Sequence, residues 1–245
     1  MLFQDVWLTA LSINLLLIAL AQRLPLLTKL GWVHAGILGT ILWGCLGWKG
    51  WVAVVIYLSL GSLVTKLGFA YKYSKGIAEP RGGRRGPENV WGSAATGAFL
   101  AIFYKLSDGS GGEFILLGFA ASFAAKLGDT FGSEIGKRWG KRTFLITNFK
   151  TVSAGTDGAI SLEGTLASLF GSLLMAFFMT AFSFISNWNG FLIVTLAGLL
   201  ATLAESLIGA LAQSRFSWLS NEFVNSIQTS LAAFMAITSS ILLSN

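Results

Sequence analysis

Eight apolar runs, each close to the length that crosses a bilayer, constrain this chain more than any other feature. A membrane-spanning helix takes about 20 mostly apolar residues, with about 17 still acceptable. Such runs lie at roughly 3–21, 31–48, 51–68, 90–106, 113–128, 162–184, 189–211 and 222–243. The fourth and fifth are short and rich in small residues. The composition agrees: 54% of residues are hydrophobic and 11% charged, against about 25% charged in ordinary domains. A disordered chain, a collagen and a disulfide scaffold are excluded, and lone Cys45 has no internal partner. The first residues already belong to an apolar run, with neither an Arg/Ser-rich transit peptide nor an Ala-x-Ala cleavage site after it. No internal repeat has a fixed period. The expectation is an all-α, polytopic bundle of about eight transmembrane helices, forming a single integral-membrane domain over 1–245.

Charge tests that count. With eight spans, the loops after the first, third, fifth and seventh share one side. Of the 17 Lys and Arg, all but Lys49 and Lys105 fall on that side. The positive-inside rule makes it the cytoplasmic side, with both termini opposite. A span too many or too few would destroy the asymmetry.

Two loops on the basic side are long, and long connections in a compact bundle are functional or disordered. The first carries Lys66, Lys72 and Lys75, then Glu79-Pro-Arg81-Gly-Gly-Arg84-Arg85-Gly-Pro-Glu88-Asn89. Arginine presents a planar fork matched to phosphate oxygens and lysine a point charge. Glycine lets the backbone approach a ligand closely. A stop-transfer cluster that attracts anionic headgroups is the ordinary alternative.

The second long loop begins inside the fifth run, at Lys126-Leu-Gly128-Asp129-Thr-Phe-Gly132-Ser133-Glu134-Ile-Gly136-Lys137. Glycines 128, 132, 136 and 140 form a stripe that drifts only about 40° per step on a helix. Close helix packing explains part of it. It does not call for Asp129, Ser133 and Lys137 in the adjacent stripe, nor for Thr130, Glu134 and Arg138 in the next, and a carboxylate with a nearby Lys at the membrane boundary is a functional candidate. Asp129 and Glu134 lie about 140° apart around an ideal helix, so they share one ion only if the helix breaks. The loop ends in Lys150, Gly155-Thr156-Asp157-Gly158, Ser161 and Thr165. Glycine-rich turns and the start of the next helix offer free N–H donors to an anion; Ser161 or Thr165 also suits an ordinary N-cap.

Walker A and G-x-G-x-x-G patterns are absent. One His and one Cys cannot supply a zinc set, and His34 suits packing or hydrogen bonding better than catalysis. Glu205 near the end of the seventh run, with Asn221, Asn225 and Gln228 on one face of the eighth, marks a further polar cavity. The amides also suit interhelical hydrogen bonds.

The order Gly-Asp129-Thr-x-x-Ser133-Glu134-x-Gly136-x-x-x-Gly140, then Lys150, then Gly155-Thr156-x-Gly158-x-x-Ser161-x-x-Gly164-Thr165, resembles an integral-membrane family that includes phytyl-phosphate kinase. Gly82-Gly83-Arg84-Arg85 with Asn89, and the Glu205 and Asn221/Asn225 cluster, fit the same family. The resemblance implies a CTP-dependent kinase that turns phytyl phosphate into phytyl diphosphate for tocopherol and phylloquinone synthesis. It implies a cyanobacterial plasma or thylakoid membrane, or a plastid membrane. Phytol and polyprenol kinases and CDP-lipid-forming cytidylyltransferases are related alternatives; a later Asp-Arg with a second paired Asp, as in the cytidylyltransferases, is absent. A transporter is the rival from another class, but polar residues concentrated on one side do not suit a midplane site.

Phosphoryl transfer is mostly positioning and charge stabilisation, and Mg²⁺ takes one or two carboxylates plus substrate phosphates. The expected metal ligands are Asp129 and Glu134, with Lys126 and Lys150 acting beside them on the reacting phosphates. Lys66, Lys72, Arg84, Arg85, Asn89, Ser133, Gly155, Thr156, Gly158, Ser161 and Thr165 are the expected nucleotide and phosphate contacts. The expected partners are a prenyl phosphate, a nucleotide and membrane lipid, with no nucleic acid.

Overall fold

Backbone amides and carbonyls find no partner in hydrocarbon, so each apolar run must close its own hydrogen bonds as a helix. A computed structural model describes residues 3–108, 110–213, 215–216 and 218–244. Its helices are α1 (Phe3–Ala21), α2 (Lys29–Lys66), α3 (Phe69–Ser74), α4 (Pro87–Leu106), α5 (Gly112–Trp139), α6 (Leu162–Ala181), α7 (Trp188–Ile208) and α8 (Asn221–Ser244). Two-residue strands β1 (Phe144–Leu145) and β2 (Ala159–Ile160) pair antiparallel in the loop before α6.

Continuous as it looks, α2 is two spans. Gly47 has φ 71° and ψ −170°, a left-handed conformation that glycine adopts without strain. The chain reverses there. Twelve residues of straight helix would hold Gly39 and Trp51 about 18 Å apart. Instead, a Cβ placed on Gly39 would lie 3.0 Å from the Trp51 indole. At the far ends of the two arms, Gly31 and Gly61 both abut Arg85. The arms 29–46 and 48–66 therefore form a hairpin. Among the described residues, eight helical segments run between the two ends of the bundle, as the hydropathy predicts.

Helix α5 is the axis, packed against α2, α4, α6, α7 and α8. Phe119, Ala120, Ala121, Phe123, Ala124, Ala125 and Leu127 are completely buried, as befits a helix apolar on every side. Its glycine stripe lies against α6: a Cβ on Gly132 would stand 3.1 Å from the Gly164 carbonyl, and one on Gly171 2.9 Å from that of Leu127. Leu8, Leu15, Phe170, Leu196 and Leu200 are exposed on outer helices, forming the apolar surface expected against lipid.

Two expected boundaries change. The fifth run ends near 128 by hydropathy, yet α5 continues unbroken to Trp139, because its polar residues find partners in other elements. The second long loop is correspondingly shorter, 140–161. The first contains α3 and a 3₁₀ turn, Arg81–Gly83.

Candidate active site

Four connections meet at one end of the bundle: 22–28, 67–86, 140–161 and the segment after α7, which opens with a π turn at Gly209–Gln213. The first helical residues of α4, α6 and α8 point their free N–H groups toward that end. Between them lies a cavity of about 390 Å³, within the usual size of a ligand site. Its floor is the face of α5 bearing Lys126, Asp129 and Ser133. Glu205 of α7, Asn221 and Asn225 of α8, and Asn89 of α4 form its walls. The segments 79–85 and 154–161 cover it.

Lys126 is the best-fixed cation in this cavity. Its ammonium pairs with Asp129 one turn along α5 and donates to Asn225 Oδ1 at 2.8 Å. Three turns of helix α8 thus divide their labour. Asn225 holds the lysine, while Gln228 Nε2 donates to the Ala125 carbonyl and Thr202 Oγ1, at 3.2 and 3.1 Å. Gln228 is an interhelical tie, and Asn221 accepts only a long bond, 3.5 Å, from Gln213. Glu205 lies within electrostatic reach of Asp129, Lys126 and Asp157.

The two arginines differ. Arg85 donates to the Tyr57 hydroxyl and sits 5.2 Å over that ring. Arg84 lines the cavity with a guanidinium that forms no hydrogen bond or ion pair with a described residue. Asn89 is fully engaged: its Oδ1 accepts from Gly86 N and Arg81 Nη2, at 2.9 and 2.6 Å, and its Nδ2 donates to Glu222 at 3.1 Å. It fastens the arginine loop to α4 and α8.

On the opposite wall, Gly155 and Gly158 have φ of +89° and +75°. Gly158 lies against the end of α7, where a Cβ would meet the Ser206 carbonyl at 2.6 Å. Only glycine fits. The N–H groups of Gly155 and Asp157 donate to no described residue, and both residues line the cavity with Thr156. Ser161 caps α6, its Oγ accepting from Gly164 N at 3.1 Å. Thr165 and Ser133 complete that side.

Three cations expected at the phosphates lie elsewhere. Lys150 is exposed beyond the β-turn, outside the cavity lining. Lys66 donates to the Gly82 carbonyl at 2.6 Å, fastening the loop from outside. Lys72, wholly buried, pairs with Glu134 and donates to the Thr65 carbonyl at 2.9 Å. That pairing also redirects Glu134. One oxygen is taken by Lys72, and Lys137 stands 3.6 Å from the other. Because α5 does not break, Asp129 and Glu134 keep their spacing of about 140°; both line the cavity, with Glu134 engaged by Lys72 and Lys137.

Sequence reasoning placed Lys137 in the polar stripe of α5 and Glu79 and Asp157 in the two loops without giving them a role in the site, and it passed over Tyr57. Lys137 bonds Glu79 at 3.1 Å. Burial raises the Glu79 pKa, but the charge and hydrogen bond of Lys137, with Lys126 and Arg85 behind it, outweigh that and leave it below the ordinary value. Asp157 sits in a legible Gly-Thr-Asp-Gly turn. Tyr57 gives no signal, being one phenol within an apolar run. His34 Nδ1 accepts from Trp91 Nε1 at 2.9 Å, the packing role its context indicates.

As a metal site, the donors fit one kind of ion. Among the described residues, no three His, Cys, Asp or Glu stand close enough to form a protein-only cage. Asp129 keeps one carboxylate oxygen free of Lys126, and Glu205 faces it. Such a set suits a hard cation completed by phosphate oxygens and water.

Fold and site together define a multi-pass, all-helical integral membrane protein with a cavity at one end of its bundle lined by five basic and five acidic side chains. The chain belongs to the family described as integral membrane protein DUF92, whose model matches residues 12–233. It is 47% identical over 233 residues to an uncharacterized membrane protein of Synechocystis sp., covering 94% of this chain and 90% of the relative. It is 43% identical over 175 residues to the chloroplastic protein VTE6 of Arabidopsis thaliana, covering 69% of this chain and 52% of VTE6. An uncharacterized membrane protein of Methanocaldococcus jannaschii is 35% identical over 151 residues, 60% of this chain and 59% of its own length. No solved structure matches the chain.

Proposed function

We propose that this protein is a CTP-dependent kinase acting on a prenyl monophosphate, with phytyl phosphate as acceptor and phytyl diphosphate as product. The observation that carries the reading is the cavity itself: an arginine fork with no partner among the described residues, a pinned lysine, open backbone N–H donors and, of its five carboxylates, Asp129 and Glu205 near the lysine converge at the membrane boundary. Such a set suits two phosphate-bearing substrates and the cation between them. The choice of acceptor and of CTP rests on the family resemblance in the two loops, supported by the likeness to chloroplastic VTE6. The membrane on this reading is a cyanobacterial plasma or thylakoid membrane or a plastid one, with the cavity on the cytoplasmic or stromal side.

In the reaction, an oxygen of the prenyl phosphate attacks the γ-phosphorus of CTP. A new P–O bond forms, the bond from that phosphorus to the β–γ bridging oxygen breaks, and CDP leaves with the electron pair. Arg84 grips phosphate oxygens in a two-pronged contact. Lys126, fixed by Asp129 and Asn225, holds its charge on the transferring group without reorganising. The 155–158 turn and the N-terminus of α6 hold further phosphate oxygens. Asp129, with Glu205 opposite, would hold Mg²⁺, which supplies charge neutralisation between the phosphates.

The test is purified protein in detergent with Mg²⁺, CTP and phytyl phosphate. CDP and phytyl diphosphate should appear together. Asp129→Asn should lower kcat by about 10²–10³, the scale for losing one such electrostatic contact. Pyrophosphate with a CDP-linked lipid would make the protein a cytidylyltransferase. No turnover of any prenyl phosphate would refute the kinase.

A further inference from the structure

We propose that the hydrocarbon chain of the lipid phosphate leaves the polar cavity through the crevice between the α2 hairpin and the start of α4. This rests on the kinase reading for the phosphate end of the ligand, while the path of the chain stands on packing.

Arg85 and Asn89 line both the polar cavity and a second, apolar crevice, so the two adjoin across these side chains. Beyond these two residues and the Tyr57 ring, the crevice walls are hydrocarbon: Ala35, Leu38, Val54, Leu58, Val90 and Ala94 are among them. Polarity thus ends within little more than a turn of α4, between Asn89 and Ala94. A phosphate at Arg85 would place its first carbons at the mouth of this crevice. Ala35, Val54 and Leu58 are only half-buried, so the crevice has an edge toward lipid. Its free volume is small, about 30 Å³. A chain would therefore part Val54 and Leu58, which lose only dispersion contacts in turning.

The other seams around the cavity are closed by near-contact of backbone or by buried side-chain contacts. Between α5 and α6, Gly132 meets the Gly164 carbonyl. Between α4 and α8, a Cβ on Gly92 would stand 2.8 Å from the Glu222 carbonyl, and Asn89 bonds the Glu222 side chain. A Cβ on Gly198 of α7 would stand 2.8 Å from the Ser172 hydroxyl of α6, and the Gln228–Thr202 bond ties α8 to α7. Opening any of these would part glycine-close helices or break buried hydrogen bonds. At the α2–α4 crevice the described ties are side-chain bonds, Trp91 Nε1 to His34 Nδ1 on the 29–46 arm and Arg85 to the Tyr57 hydroxyl at the mouth, and among the described residues none joins the 48–66 arm to residues 87–94 of α4.

Two measurements test the path. A long-chain alkyl phosphate carrying a diazirine near its head group, photolysed with the full-length protein in detergent, should label peptides of 48–66 and 87–106. Labelling concentrated in α6, α7 or α8 would overturn the proposal, whether or not the protein proves to be a kinase. In kinetics, Val54→Phe narrows the crevice from its half-exposed edge and Ala94→Phe from inside. Each should raise KM for phytyl phosphate about tenfold, the scale of losing contact with a few methylenes. KM and kcat for a short-chain prenyl phosphate should stay near those of the unsubstituted protein. Equal damage to both substrates from Val54→Phe, or none to either, would also overturn it. If the unsubstituted protein turns over neither substrate while the photoprobe labels 48–66 and 87–106, the kinase reading fails and the chain path survives.

Discussion

Glu134 separates a carboxylate that carries structure from one that carries chemistry, and a double-mutant cycle can tell which it is. Lys72 has no exposed surface, and the Glu134 side chain is 2% exposed. Their pairing anchors α3, a six-residue helix with few other attachments, to α5. Replacing Glu134 with Leu leaves a buried ammonium facing only the Thr65 carbonyl. Breaking a buried pair from one side costs about 3–5 kcal/mol, which for a chain of this length lowers the thermal midpoint by about 10 °C or more. Lys72→Met should cost less than Glu134→Leu, because Glu134 would keep Lys137 at 3.6 Å. The double variant, Lys72→Met with Glu134→Leu, removes both desolvation penalties and should regain most of the stability. Thermal unfolding in detergent, followed through tryptophan fluorescence, measures all four corners. Additive losses would refute the pairing as the main role of Glu134. The activity arm is sharper. A stable double variant that has lost turnover would return Glu134 to the reacting phosphates, against the geometry found here.

Gly132→Ala should destabilise the protein by about 1–3 kcal/mol, the usual cost of overpacking, since its methyl would meet the Gly164 carbonyl and Ser168; an unchanged unfolding midpoint would deny the close α5–α6 seam. Glu79 predicts a pH response. Its carboxyl lies below the ordinary value near 4.5 in the folded protein, so its contribution is present above that value and lost as pH falls through the folded one. Hydrogen-exchange protection of 77–86, corrected for intrinsic rates, should decline in that window, and Lys137→Met should abolish the step; loosening as pH rises would contradict it. In a Cys45→Ala background in intact cells, cysteines at Ser110 and Ser244 should react with an impermeant maleimide and one at Lys75 should not. Labelling at 75 together with 110 would break the topology.

Much of the fold was legible because hydrocarbon enforces helices. Even the Gly47 reversal was implicit, since apolar runs at 31–48 and 51–68 cannot both span without one. The end of α5 was not legible. Hydropathy drops at Gly128, but a helix there continues wherever Lys126, Glu134 and Lys137 find partners, and those partners lie 50 to 100 residues away in α3, the Glu79 loop and α8. The same blindness explains the misplaced cations. Spacing puts Lys66, Lys72 and Lys150 in basic loops, but it cannot say that Lys72 turns inward to Glu134 or that Lys150 lies past the β-turn. Asp129 and Arg84, also singled out by local pattern, do line the cavity.

The distribution of partners shows how the cations crowded around the cavity are held in place. Like charges crowded in 67–86 and 126–142 would repel one another and splay the loops. Instead, nearly every cation around the cavity has a specific counterpart: Arg81 has Glu88 and Asn89, Arg85 has Tyr57, Lys137 has Glu79, and Lys126 has Asp129 and Asn225. Those bonds hold the groups in position before substrate arrives, so little side-chain freedom remains to be lost on binding. Arg84 is different, since its fork meets no described partner and binding a phosphate there breaks no internal contact. Asp129 has a double task, with one oxygen fixing Lys126 and the other free to face a cation. Neutralising it therefore removes a ligand and releases the lysine in one step, whereas neutralising Glu163, a surface acid near the start of α6, disturbs neither.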